Sequence, residues 1–334
     1  MKAAKLPSLG FRIALFVFVF LLLSLLLLRF NQKASWKGEA WLVMDTFFEF
    51  QVPSSQYTKE LKPALSLMIE AIDLELNVYR EGSEIQSLNH LAISKQTQIK
   101  SKNLYKAIRE ALSLSELSSG LFDPSFEPLQ NAYGFHDGQL RIPETDELYR
   151  LLQNLGWKNI LLDPNGYSIR YKKESLKLNL SALKKGMVLD EIALYLDSKN
   201  MDEYVLNFGG SLKIKKKTPL TVMIQHPRKP MPAGKTQISS GCISTSSDGQ
   251  QFFEKEGKRY SHIINPLTGS AQNPTQSITI YHPGSAMMAD MLSTTLLLME
   301  RSEAISFLSE HFPEAGLLGI DSEGKFSWNM EWTP

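Results

Sequence analysis

The hydrophobic pattern is most emphatic at the start of the chain, where residues 13–28, IALFVFVFLLLSLLLL, are apolar except for Ser24 and follow Lys2, Lys5 and Arg12. A helix from Phe11 to Phe30 would rise ~30 Å, enough to cross a hydrocarbon core with Arg12 and Arg29 snorkelling at its two ends. The pattern therefore predicts one N-terminal transmembrane helix, or a signal sequence, within residues 1–34. No cysteine follows the run and no small-x-small cleavage site sits just beyond Leu28, which favours an uncleaved single-pass anchor. The short basic side is the one expected in the cytoplasm, so the body, residues 35–334, is expected to face the periplasm or exterior from the inner membrane.

Beyond a short linker at Ser35–Gly38, the alternation in AWLVMDTFFEFQV predicts one strand over 40–52. Apolar residues at helical spacing then predict helices over Leu61 to about Asn77, Leu104–Leu117 and Thr145–Leu155. Short strands ILLD, YSIRY and LKLNL follow from Ile160, then a helix over Ala182–Leu196. Strands are expected near Tyr204–Phe208, Leu220–Gln225, Thr236–Ser244 and Ser277–Tyr281. Two helices, Met287–Met299 and Ser302–His311, precede a closing strand at Gly316–Ile320. Strands and helices neither alternate strictly nor repeat, which predicts a single α+β domain of antiparallel sheets and packed helices.

Composition narrows the function. The chain has 334 residues, 43% apolar and 21% charged, the balance of a folded domain with a large core. A net charge of +1 leaves no polycationic surface, so nucleic acid is not an expected partner. The single cysteine, Cys242, excludes an internal disulfide and a cysteine metal cluster, so any metal must rest on oxygen or histidine ligands.

Three constellations carry candidate chemistry. Asn207-Phe208-Gly209-Gly210 ends an apolar strand, and its glycines permit positive φ or a close ligand approach, as a plain tight turn would also use. His262 opens a loop, HIINPLTG, whose Asn-Pro and Thr-Gly steps mark a constrained bend, so the imidazole is either a base or a residue satisfying its own turn. Asp290 and Thr294 lie four apart at the start of an apolar helix and share a face. They suit a hard cation such as Mg²⁺, although Asp290 capping the helix N-terminus explains the carboxylate equally well.

Taken in order, Met44-Asp45-Thr46, Ser83 to Asn89, Gly120-Leu121-Phe122-Asp123-Pro124, Pro128-Leu129, Tyr133-Gly134-Phe135, Lys185-Gly186 with Asp190, Asn207 to Gly210, Thr245-Ser246, His262 to Gly269 and Ala289 to Thr294 resemble the ApbE flavin transferases over roughly residues 40–320. The resemblance implies the ApbE fold and an extracytoplasmic enzyme that uses Mg²⁺ and FAD to attach FMN to a threonine or serine of a membrane redox protein, releasing AMP. By motif position it implies metal ligands at Asp290, Thr294 and the Ala182 carbonyl. It places Lys185 beside the flavin nucleotide, with Met44, Asn89, Leu121, Phe122, Asp123, Gly209 and Gly210 around it. His262 would contact the nucleotide and take the acceptor's proton. Five positions depart from the pattern: Asp45 and Ser247 stand where it has glycine, Leu267 where it has a basic residue, Ser211 where it has an acid or amide, and Asn179 where it has aspartate. A metal-dependent FAD pyrophosphatase and a non-enzymatic flavin-binding protein are the alternative readings.

Overall fold

A computed structural model describes residues 36–91, 95–174 and 176–333, so the anchor expected within 1–34 lies outside the described residues. Among the described residues no helix is long and apolar enough to cross a membrane. The segment expected to be one strand is a hairpin: Met44 and Asp45 take φ of +51° and +59° and turn β1 (Trp36–Val43) onto β2 (Thr46–Pro53). Two consecutive positive φ values are the signature of the tight hairpin turn whose twist matches its strands. Aspartate tolerates that conformation better than most residues, which is how Asp45 stands without glycine, and its side chain is exposed at the tip. The expected linker at Ser35–Gly38 is corrected as well, because Trp36 already pairs with Pro53.

The hairpin begins an eight-stranded sheet in which every pairing is antiparallel. Its order is β1, β2, β6 (Tyr204–Phe208), β7 (Ser211–Gln225), β8 (Pro232–Ser247), β11 (Ser277–His282), β12 (Gly316–Ile320) and β13 (Lys325–Trp328). A small sheet joins β3 (Thr97–Gln98), β5 (Ser168–Tyr171) and β4 (Ile160–Asp163), and β9 (Phe252–Lys255) pairs with β10 (Lys258–Ser261). The chain therefore does not close at Ile320, since β13 adds an edge strand. LKLNL is no strand either: its Leu178 main chain pairs with the side-chain amide of Asn89, at 2.7 Å to Oδ1 and 2.9 Å from Nδ2. An amide side chain there does the work of a neighbouring strand.

The helices follow their apolar spacing. In α1 (Leu61–Leu76) Leu65, Ile69, Ile72 and Leu76 are buried. In α3 (Lys102–Leu117) Leu104, Ile108, Ala111 and Leu114 are buried, and Ser101 caps the first turn by accepting the Leu104 N–H at 3.0 Å. Two short helices, α2 (Glu84–Leu88) and α4 (Glu127–Ala132), and the amphipathic α5 (Thr145–Asn154) complete the set before the site helices. Two helices carry the site, α6 (Ser181–Ser198) and α7 (Ala286–Leu296), with α8 (Arg301–His311) following. The first two pack on each other and on the large sheet, and most of their residues are buried.

Gly186 sets their separation. A Cβ there would sit 2.2 Å from the Ala286 carbonyl oxygen and 2.5 Å from the Met287 nitrogen, both backbone atoms that cannot swing away. Asp190 fixes the same junction by accepting the Ala286 and Met287 N–H groups at 2.8 and 3.1 Å while pairing with Lys213 at 2.7 Å. Gly186→Ala is expected to cost roughly 1–3 kcal/mol through overpacking, read as a lower thermal midpoint. An unchanged midpoint would show that the helices separate freely.

Candidate active site

Ser285, not Asp290, caps α7, accepting the Met288 N–H at 3.1 Å. The capping explanation for Asp290 therefore falls, and its carboxylate is free to serve another purpose. It is 3% exposed and makes no ion pair among the described residues. One oxygen accepts the Gly186 N–H at 2.6 Å and the other accepts the Ser211 hydroxyl at 2.7 Å. Burial pushes its pKa up, while the charge of Lys185 and the hydrogen bonds from Ser244, Ser211 and Gly186 pull it back.

Hydroxyls surround this carboxylate. Thr294 donates to the Asp290 carbonyl at 3.1 Å and lies 3.2 Å from the Ser246 oxygen. Ser246 is 2.8 Å from Ser293, and Ser244 is 3.4 Å from Ser211. β7, β8 and α7 each deliver part of the cluster, whose members are remote in sequence. Among the described residues no three acidic, histidine or cysteine side chains converge. A cation here would rest on one carboxylate, hydroxyls and backbone carbonyls, with the rest of its shell from water or phosphate. Such an oxygen set fits Mg²⁺, which keeps few protein ligands, and an otherwise unpaired buried carboxylate fits a positive partner. Ala182 lies in the first turn of α6, one turn before Gly186, so α6 adjoins the carboxylate from that side.

His262 directly follows β10. Its N–H donates to the Gln251 carbonyl at 3.0 Å, and its Nδ1 lies 3.1 Å from the same oxygen. A carbonyl can only accept, so Nδ1 carries the proton in the neutral ring and Nε2 holds the free lone pair. The residue retains some accessible surface but is enclosed closely enough that burial, with a smaller contribution from the Lys185 charge, pushes its pKa down to about 4 against the opposing hydrogen bond to Gln251. Lys185 thus acts on both His262 and Asp290, placing one positive charge between the two motifs. Lys185 makes no ion pair among the described residues, whereas its neighbour Lys184 pairs with Asp73 at 3.0 Å.

The remaining sequence-derived positions are each placed by contacts of their own. Gly209 and Gly210 have φ of +57° and +98°, and a Cβ on Gly209 would come 2.8 Å from the Thr46 hydroxyl. The Gly209 N–H donates to the Phe47 carbonyl at 2.9 Å, which seats the Met44 hairpin against the turn leading to Ser211. Asn179, just before α6, takes its N–H to the Pro124 carbonyl at 2.7 Å, which brings Leu121, Phe122 and Asp123 beside the helix start. The side chains of Asn89 and Asp123 are committed to scaffolding. Asp123 accepts from the Ser125 N–H and hydroxyl at 2.8 and 2.6 Å and from the Trp157 N–H at 2.9 Å. Gly210 is exposed at its turn, with its N–H held by Asn207 Oδ1 at 3.0 Å.

Sequence reading did not single out Ser244, Ser293 or Tyr79. The Tyr79 ring is half exposed, stacks on His136 at 4.8 Å and points its hydroxyl 3.5 Å from Gln130. No spacing pattern marks a lone tyrosine or scattered serines, whereas the charged and glycine positions stand out.

Over 267 residues the chain is 29% identical to the FAD:protein FMN transferase of Vibrio cholerae, covering 77% of this chain and 79% of that one. It is 25% identical over 306 residues to the protein of that name from Treponema pallidum, covering 85% and 84%. The crystal structure of the ApbE protein of Thermotoga maritima superposes with a TM-score of 0.78 at 25% identity, over 90% of this chain and 97% of that one. The ApbE family pattern itself matches residues 44–317, and with that match running from the hairpin turn through both site helices and the His262 loop, the chain belongs to the ApbE family.

Proposed function

We propose that the protein is an FAD:protein FMN transferase that joins FMN, through a phosphoester, to a threonine or serine hydroxyl of an acceptor protein. The observation that carries this reading is the pairing of a buried Asp290 in a hydroxyl cluster, without an ion pair among the described residues, with a His262 whose Nε2 has no hydrogen-bond partner among them, both within the field of Lys185. In the reaction the acceptor oxygen bonds to the FMN-side phosphorus as the bond to the bridging oxygen breaks. AMP leaves, and the hydroxyl proton passes to His262 Nε2. Lys185 offers positive charge to the pyrophosphate. Mg²⁺ bound at Asp290, Thr294 and the Ala182 carbonyl would neutralise charge developing on the phosphoryl oxygens. The names of the relatives, FAD:protein FMN transferase, support the same activity.

The test is incubation with FAD, Mg²⁺ and candidate membrane redox acceptors, followed by intact-mass measurement. The expected result is an acceptor gaining the mass of FMN with stoichiometric AMP. Free FMN and AMP with no labelled acceptor would instead identify a pyrophosphatase, and FAD retained intact would identify a binding protein. Residues 1–34 are proposed as an inner-membrane anchor with the catalytic body on the periplasmic or outer side, on the strength of the apolar run 13–28. The full chain is then expected to stay with membranes through an alkaline carbonate wash; its release would overturn the anchor.

A further inference from the structure

Between His262 and the start of α6 runs a buried polar chain that the transfer reaction leaves unused. Glu127, the first residue of α4, is 4% exposed and makes no ion pair among the described residues. It accepts a hydrogen bond from Asn179 Nδ2 at 2.5 Å. The same amide nitrogen donates to Gln130 Oε1 at 3.0 Å, and Asn179 Oδ1 accepts the N–H of Ser181, the first residue of α6, at 2.9 Å. Gln130 Nε2 completes the chain by donating to the His262 carbonyl at 3.2 Å. Asn179 itself is 1% exposed.

Each link has a fixed polarity. The His262 carbonyl can only accept, so Gln130 must turn its nitrogen to that loop and its oxygen to Asn179. Glu127 also presents oxygen. Position 179 must therefore supply two donors from one nitrogen and an acceptor to the helix start, and asparagine meets that requirement where the aspartate of the family pattern does not. An aspartate would face the Glu127 carboxylate and the Gln130 oxygen with nothing to donate.

We propose that Asn179 and Gln130 are positioning residues for His262, tying its loop to the start of α6, the helix that carries Lys185, with Glu127 as the buried acceptor that orients Asn179. The inference rests on His262 serving as the base. Asn179 is then a requirement of this chain's wiring, coupled to Glu127, and not a lost charge.

A pair of substitutions separates orientation from stability. Asn179→Asp in the full chain is expected to lower both the thermal midpoint and the single-turnover rate of AMP release from FAD, the latter by about tenfold or more. Adding Glu127→Gln restores a donor opposite the introduced carboxylate, so the midpoint should recover, while the rate stays low because the Gln130 oxygen still faces a carboxylate. Gln130→Met should lower the rate by a similar factor with FAD affinity kept within about threefold. Failure of the double variant to regain its midpoint would reject the Glu127–Asn179 pair. Recovery of its rate, or a wild-type rate for Gln130→Met, would reject the link to His262. If the wild-type chain releases no AMP from FAD with any of the acceptors supplied, the proposed activity fails, yet the midpoints still decide the pair. The His262 Nε2 titration, followed by NMR in Gln130→Met, then decides the link: a shifted titration supports it and an unmoved one overturns it.

Discussion

Asp290→Asn is expected to abolish cation-dependent transfer, by about 10³-fold or more, while the cation-free protein melts at the wild-type temperature or higher. The two halves come from one geometry. Asp290 is buried, its pKa is pushed up by that burial, and what opposes it is hydrogen bonds and the Lys185 charge, with no ion pair among the described residues. Without a cation, the ionised form is held at a cost. Asparagine keeps the essential contacts, since its oxygen can accept the Gly186 N–H and its nitrogen can donate to the Ser211 oxygen, whose hydroxyl rotates to suit. The fold loses little and sheds a desolvated charge. A hard cation held in the proposed site would, however, lose the one carboxylate of that ligand set, and loss of several kcal/mol of charge stabilisation corresponds to about three or more powers of ten in rate. Thermal melts with and without Mg²⁺ check the first half: wild type should gain stability on adding Mg²⁺ and the variant should not. A variant that retains the Mg²⁺-induced gain would remove Asp290 from the ligand set. Asp290→Ala is a poorer probe, because it leaves the Gly186 N–H and Ser211 hydroxyl without partners and mixes instability with lost binding.

How much of this was legible in the sequence depended on whether a residue's role lies along its own element. Tyr204–Phe208 and Gly316–Ile320 match their expected bounds, and the helices from Leu61, Thr145 and Ala182 match within a few residues, because apolar spacing reports the buried face directly. The hairpin at Met44–Asp45 was hidden: glycine or asparagine normally announces such a turn, and here two residues with side chains hold positive φ. LKLNL alternates like a strand, yet its partner is the Asn89 side chain, which no periodicity can reveal. Within the site, Asp290 and Thr294 could be placed on one helical face from their spacing alone. Their meaning could not, because capping and ligation use the same carboxylate, and Ser285 taking the cap removes only the capping role. The serines around Asp290 arrive from β7, β8 and α7, so their convergence is a property of the sheet order. Ser211, a departure from the family pattern, proves to be a direct partner of Asp290.

His262→Ala is expected to slow transfer by about 10² to 10⁴ at saturating FAD, with FAD affinity little changed, because the lost group acts only when the hydroxyl proton moves. The Gln251 carbonyl fixes the tautomer, leaving Nε2 as the nitrogen that would take the proton, and burial with the nearby Lys185 charge holds its pKa at about 4. A histidine so depressed is neutral throughout the range from pH 5 to 8, so the acid limb of the wild-type rate should fall well below the ordinary histidine value of roughly 6.5. Removing the positive neighbour makes protonation easier, so Lys185→Gln should move that limb upward. The same shift sets a stability dependence whose sign follows from proton counting. Between about 6.5 and 4 the unfolded chain binds a proton at this position and the folded one does not, so the contribution of His262 favours folding above 6.5 and is lost as pH falls through that window. His262→Gln should flatten that part of the acid loss. Single-turnover transfer measured against pH, at matched flavin occupancy, separates the possibilities: an unchanged rate in His262→Ala would show that another group takes the proton, and weaker FAD binding with a preserved rate would make the imidazole a ground-state contact to the pyrophosphate.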